Sequence, residues 1–157
     1  MTDTWHTRHD LPLIGLLAEL KAAVAEDLYD RLGEAGYDDL RPAHGCVFST
    51  IDEAGARLTA LADRSGLTKQ AVGEAVADLE RLGYVERVPD PLDGRAKIIK
   101  LTERGARAIA LAREIMSDIE RGFADGVGEE RFTDFRNTLR ELFQLTHSSG
   151  RTRARAA

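Results

Sequence analysis

The stretch from Leu58 to Gly105, LTALADRSGLTKQAVGEAVADLERLGYVERVPDPLDGRAKIIKLTERG, changes its period once, and that change decides the fold. Leu61 and Ala62 give a short helix its buried face, with Thr59 placed as N-cap, until Ser65-Gly66 interrupts it. Leu67 precedes a second N-cap, Thr68, after which Val72, Val76, Leu79 and Leu82 recur at helical spacing. This predicts a helix of about four turns, closed by Gly83 just past its end. A helix, a glycine-containing turn and a longer helix form a helix-turn-helix. Beyond Gly83 the segments Tyr84–Val88 and Lys97–Leu101 are rich in β-formers. Two prolines and Asp93-Gly94 place a turn in Pro89–Gly94 between them, and Thr102 caps the next helix. A helix-turn-helix followed by a hairpin is the arrangement of a winged helix.

Long helices flank this middle. Leu13, Leu17, Leu20, Val24, Leu28 and Leu32 lie on one helical face, which ends at Gly33–Gly36. Pro42 suits the first position of a short helix over Ala43–Ile51. After the hairpin, Ile109, Ala112, Met116, Ile119 and Phe123 mark one long helix, and Phe132, Phe135, Leu139 and Leu142 another, joined around Gly126–Gly128. Ser148–Ala157, with Arg151, Arg153 and Arg155 among small residues, has no apolar anchor and reads as a flexible basic tail.

The 157 residues suffice for one globular domain with a core. A single cysteine, Cys46, excludes an internal disulfide and any zinc module built on two thiolates, and it suits a reducing cytoplasm. No apolar run reaches the ~20 residues of a membrane span, and the first ten residues lack a signal core. We therefore expect a cytoplasmic protein without a membrane partner. The net charge of −5 hides a gradient. Residues 1–40 hold 3 Lys and Arg against 9 Asp and Glu, residues 41–105 hold 10 of each, and residues 106–157 hold 9 against 8. A neutral middle still presents a basic stripe if its cations cluster. No phosphate loop, HExxH or Gly-x-Ser-x-Gly motif is present, so no enzyme, metal site or cofactor is expected.

The wing and its exit, Asp90-Pro91-x-Asp93-x-Arg95-Ala96 followed by Leu101-Thr102-x-x-Gly105, resemble MarR-type transcriptional regulators. The resemblance implies a mainly helical protein with a small β-hairpin, its winged helix-turn-helix inserted between long dimerisation helices. Residues 1–56 would serve dimerisation and a ligand pocket, 57–101 DNA binding, and 102–147 dimerisation, with 148–157 as the tail. It implies a homodimer on a palindromic operator, most simply a repressor released by a small-molecule effector. The implied pocket takes Trp5, Tyr37, His44 and Phe48 as candidates. Gly94 departs from the pattern, since family members often carry a second arginine there, which places more of the wing's contact on Arg95.

With Val72, Val76 and Leu79 pointing inward, Lys69, Gln70, Gly73, Glu74 and Ala77 form the outward face expected to meet double-stranded DNA. Gln70 can pair with adenine N6 and N7, Lys69 suits guanine or phosphate, and Thr68 can both cap and touch the backbone. Gly73 allows either a close backbone approach to DNA or a simple tolerated glycine, and Glu74 either accepts from cytosine or filters by repulsion. On the wing, Arg95 suits the minor groove with Asp93 directing it, while Arg87, Lys97 and Lys100 are placed for phosphates. Phe123, Phe132, Phe135 and Phe143 exceed what an isolated small domain needs and point to a shared interface. Two alternatives remain: a redox sensor acting through Cys46 near His44, and a winged-helix module that binds protein instead of DNA.

Overall fold

The structure, a computed structural model, describes residues 11–153, with side chains through Thr146. Helix α1 runs Leu13–Glu34 and ends where Gly36, at φ +89°, turns the chain so that the Tyr37 N–H meets the Leu32 carbonyl. A 3-10 turn over Pro42–His44 leads into α2, Gly45–Phe48, four residues where a continuous helix to Ile51 was expected. Helices α3, Leu58–Ser65, and α4, Lys69–Arg81, follow, then strands β1, Val85–Asp90, and β2, Asp93–Leu101. Helix α5 covers Glu103–Val127 and α6 Glu129–Arg153, so the backbone is still helical where the tail was expected to begin. Mainly helical structure around one antiparallel hairpin is the expected fold class.

The helix-turn-helix has the expected inward face. Val72, Ala75, Val76 and Leu79 of α4 are buried with Leu61 and Ala62 of α3, Val47 of α2, and Tyr84, Val85 and Ile99 at the hairpin base. Burying each such Val or Leu contributes about 1.5–3 kcal/mol relative to exposure. Thr68 caps α4 by accepting the Ala71 N–H at 3.2 Å. Thr59, in contrast, is not a cap. Helix α3 starts at Leu58 after an extended Arg57, with no side-chain cap bond, because Ala56 is paired to Ile99 and the helix begins as soon as that pairing ends. Two bonds join them, Ala56 N–H to the Ile99 carbonyl at 3.0 Å and the reverse at 2.9 Å. Gly55 makes this possible: at φ +83° a Cβ would lie 2.5 Å from the Ile99 carbonyl oxygen.

The hairpin is longer than its sequence suggests. Its register runs from Val85 opposite Leu101 to Pro89 opposite Lys97, slips at Pro89/Asp90, and resumes with Asp90 opposite Asp93. Only Pro91-Leu92 forms the tip, and Asp93-Gly94, expected in the turn, opens β2 instead. Tyr84, expected in the first strand, precedes it; its N–H bonds to the Leu79 carbonyl and its carbonyl accepts the Thr102 N–H.

The chain divides into two compact units, the first ending at Ile115 and the second beginning at Met116. In the first, Ala108 and Ile109 on α5 are buried. In the second, Ile119 and Ala124 are buried, the Phe123 and Phe132 rings lie 6.2 Å apart, and Arg136 pairs with Glu120 at 2.8 Å. Gly128, at φ +96°, makes the turn between α5 and α6.

Candidate nucleic-acid interface

Helix α4 presents Lys69, Gln70, Glu74 and Ala77 to solvent, with Thr68 exposed at its start. Helix N-termini carry free N–H groups and a partial positive charge, which suits phosphate. Gln70 is held: its Nε2 donates to the Glu74 carboxylate at 3.1 Å, one helical turn on. Gly73 does not share this outward face. A Cβ there would meet the Leu58 side chain of α3 at 3.7 Å, an ordinary contact, so its missing side chain faces the neighbouring helix.

The wing is stapled from outside its own strands. The Arg57 Nε donates to Asp90 Oδ2 at 2.7 Å, and its Nη2 reaches Asp90 at 2.6 Å and Asp93 at 3.6 Å. Asp90, 7% exposed, accepts the Leu92 N–H at 2.8 Å through its other oxygen. That backbone N–H and the Arg57 guanidinium hold the Asp90 carboxyl below the usual carboxylate range. Asp93 Oδ1 accepts the Arg95 backbone N–H at 3.2 Å. Asp93 thus shapes the turn into β2 and faces Arg57, rather than pairing with the Arg95 guanidinium as expected. Among the described residues that guanidinium is exposed and makes no hydrogen bond or ion pair. Lys97 is exposed beside it, and Lys100 is half-buried. Arg87 is drawn the other way, pairing with Glu80 of α4 at 3.1 Å and tying α4 to β1.

Behind the lobe lies a network that the sequence did not disclose. The Tyr84 ring is fully buried, and its hydroxyl donates to Asp39 while accepting from Arg104 at 3.0 Å. Arg104 also bonds Asp39 at 2.9 Å and lies 4.4 Å over the Tyr84 ring. Burial, then the bond to Asp39, pushes the Tyr84 hydroxyl up to about 12. Tyr37 and Phe48 pack their rings on Tyr84 at 6.2 and 6.0 Å. His44 is buried with both ring nitrogens committed: Nδ1 accepts the Arg41 N–H at 3.1 Å, so Nε2 carries the proton toward Asp78 of α4 at 2.9 Å. Arg81, then His44, holds the Asp78 carboxyl low. Of the four pocket candidates, three therefore sit around the junction of α2, α4 and Tyr84, and Trp5 lies outside the described residues. The ties among Asp39, Tyr84 and Arg104 and between His44 and Asp78 join residues 20 to 65 positions apart, and no local pattern announces them.

Cys46 is half-buried with its thiol donating to the Ala43 carbonyl at 3.2 Å, and burial pushes that thiol up from its ordinary value. A raised thiol holds less of the reactive thiolate at neutral pH.

Helix-turn-helix, stapled hairpin and a polar helix face on one lobe define a winged-helix DNA-binding protein. A family model described as MarR family matches residues 38–96. The transcriptional regulator HosA of Escherichia coli O111:H- is 27% identical over 105 residues, covering 67% of this chain and 78% of HosA. The solved structure of MarR matches at TM-score 0.72 and 25% identity, over 90% of this chain and 95% of that one. CouR from Rhodococcus jostii RHA1, solved bound to p-coumaroyl-CoA, matches at TM-score 0.66 and 26% identity, over 87% and 94% of the two chains. Residues 38–96 thus match the MarR family, and over most of its length the chain is similar to winged-helix transcriptional regulators.

Proposed function

We propose that this protein is a cytoplasmic homodimeric repressor that grips a palindromic operator and is released by a small-molecule effector. The observation that carries the DNA-binding half is the pairing, on one lobe, of a free α4 N-terminal face with a braced wing whose Arg95 guanidinium has no internal partner among the described residues. A guanidinium so presented suits the negative potential of a narrow minor groove, while Lys69 and Gln70 suit the adjacent major groove. Residues 57–101 form the reading lobe in this proposal, and residues 1–56 and 102–147 join the copies. Leu13, Ile14, Leu16 and Leu20 on α1, and Phe135 and Leu142 on α6, leave large apolar area exposed, which a second copy would cover. The small-molecule release has its support in the relative CouR, which was solved with an acyl-CoA bound. Among the described residues no helix is long and apolar enough to cross a membrane.

Selection of bound sequences from random duplex DNA tests this. A palindrome with half-sites about one helical turn apart is expected. Recovery of no preferred sequence, or of an unpaired half-site, contradicts the proposal.

A further inference from the structure

The exposed face of α4 carries a carboxylate where DNA phosphates would approach, and its only hydrogen bond among the described residues is to Gln70. We propose that Glu74 is a positioning residue: it holds the Gln70 carboxamide in the one orientation that reads adenine. This inference rests on the DNA-binding reading above.

Donors and acceptors set which base the amide can meet. A glutamine side chain offers two N–H donors and one carbonyl oxygen, and rotation of its terminal amide exchanges the two ends. Unheld, it can meet adenine with one N–H to N7 and its oxygen to the N6 amino group. It can equally turn both donors toward guanine, which shows acceptors at N7 and O6. An ionised glutamate is acceptor-only, so it accepts the amide nitrogen and repels the amide oxygen. The Gln70 Nε2 bond to Glu74 thus commits one N–H and leaves a single N–H and Oε1 for the base. That pair matches adenine and is one donor short for guanine. The i to i+4 spacing makes the arrangement a property of the helix face, formed before DNA arrives. The same charge opposes nearby phosphates and so lowers affinity for unrelated duplex.

The test compares the selected operator with its adenine-to-guanine variant at the position whose preference Gln70→Ala relaxes, using wild type, Gln70→Ala, Glu74→Ala, Glu74→Gln and the Gln70→Ala/Glu74→Ala double variant. Both residues are exposed, and circular dichroism and thermal melting confirm that each variant folds. Glu74→Ala should lower adenine-over-guanine discrimination about tenfold while raising affinity for unrelated duplex. Glu74→Gln, whose amide oxygen can still accept, should raise unrelated affinity and keep most of the discrimination. The double variant should discriminate no worse than Gln70→Ala alone, since the two residues act through one contact. Unchanged discrimination in Glu74→Ala, additive losses in the double variant, or no position relaxed by Gln70→Ala overturns the proposal while leaving the regulator intact. A wild-type protein that selects no DNA overturns both.

Discussion

Arg95 and Arg57 have the same chemistry and opposite assignments, and the difference lies in what surrounds each guanidinium. Arg57 is consumed internally by Asp90 and Asp93, whereas the Arg95 guanidinium has no hydrogen bond or ion pair among the described residues. Arg95→Ala should therefore leave thermal stability within about 0.5 kcal/mol and weaken operator binding about tenfold or more. In a dimer it should also reduce the slope of log affinity against log salt by about two. Fluorescence anisotropy across a salt series measures both, and wild-type affinity in the folded variant would remove the wing contact. At Asp90, a folded-state carboxyl held low contributes stability that is present above the unfolded carboxylate pKa and lost as pH falls through the folded one. Asp90→Asn should be less stable than wild type near pH 7, and the gap should close on acidification below about pH 4. Urea midpoints from pH 7 to pH 3 read this out; a gap that stays constant contradicts it.

Among the elements, α4 combines a cap, a mid-helix glycine and an apolar stripe. Gly73 has an ordinary helical position and open contact with Leu58, so nothing in the fold demands glycine there. Gly73→Ala should raise stability by up to about 1 kcal/mol through helix propensity, whereas Thr68→Ala should lower it by about 1 kcal/mol through loss of the cap. Chemical denaturation of the pair checks both signs; a Gly73→Ala variant that destabilises would show that α3 cannot accommodate the added methyl. Gly105 is the opposite case. A Cβ at its position would run into the Tyr84 carbonyl, which the start of α5 approaches directly. The wing is held by Arg57 outside the hairpin and by the Arg87–Glu80 pair, which ties it to α4.

At the scale of the whole molecule, the first two turns of α1 leave apolar side chains exposed, with Ile14 75% and Leu13 58% exposed. Our proposal covers these side chains with a second copy, and Ile14→Glu should then raise the dimer dissociation constant at least about tenfold, since a charge would be buried in an apolar interface. Sedimentation velocity over a concentration series decides, and a wild-type protein that stays monomeric at all concentrations contradicts the dimer. The loss of dimer should also cost operator binding, because one lobe neutralises few phosphates.

Periodicity and punctuation were enough to read α1, the helix-turn-helix, the hairpin and the two long helices, because 3.6- and 2-residue repeats, Thr68, Thr102 and Gly83 are local signals. The same local logic misplaced the α3 start and the hairpin turn. Thr59 looks like a cap until Ala56 pairs with Ile99, and Asp93-Gly94 looks like a turn until Arg57 anchors Asp90 and Asp93. Which cations stay unpaired was also beyond composition: Arg87 and Arg57 are taken by carboxylates 7 and 33 or more positions away, and Arg95, among the described residues, is not. The Asp39–Tyr84–Arg104 network and the His44–Asp78 bond belong to the same category. Element identity follows from neighbours along the chain, so the amino-acid sequence determined the winged helix by itself. Only tertiary structure decided which side chains are spent on holding it together and which remain to bind, since that depends on partners brought near by folding.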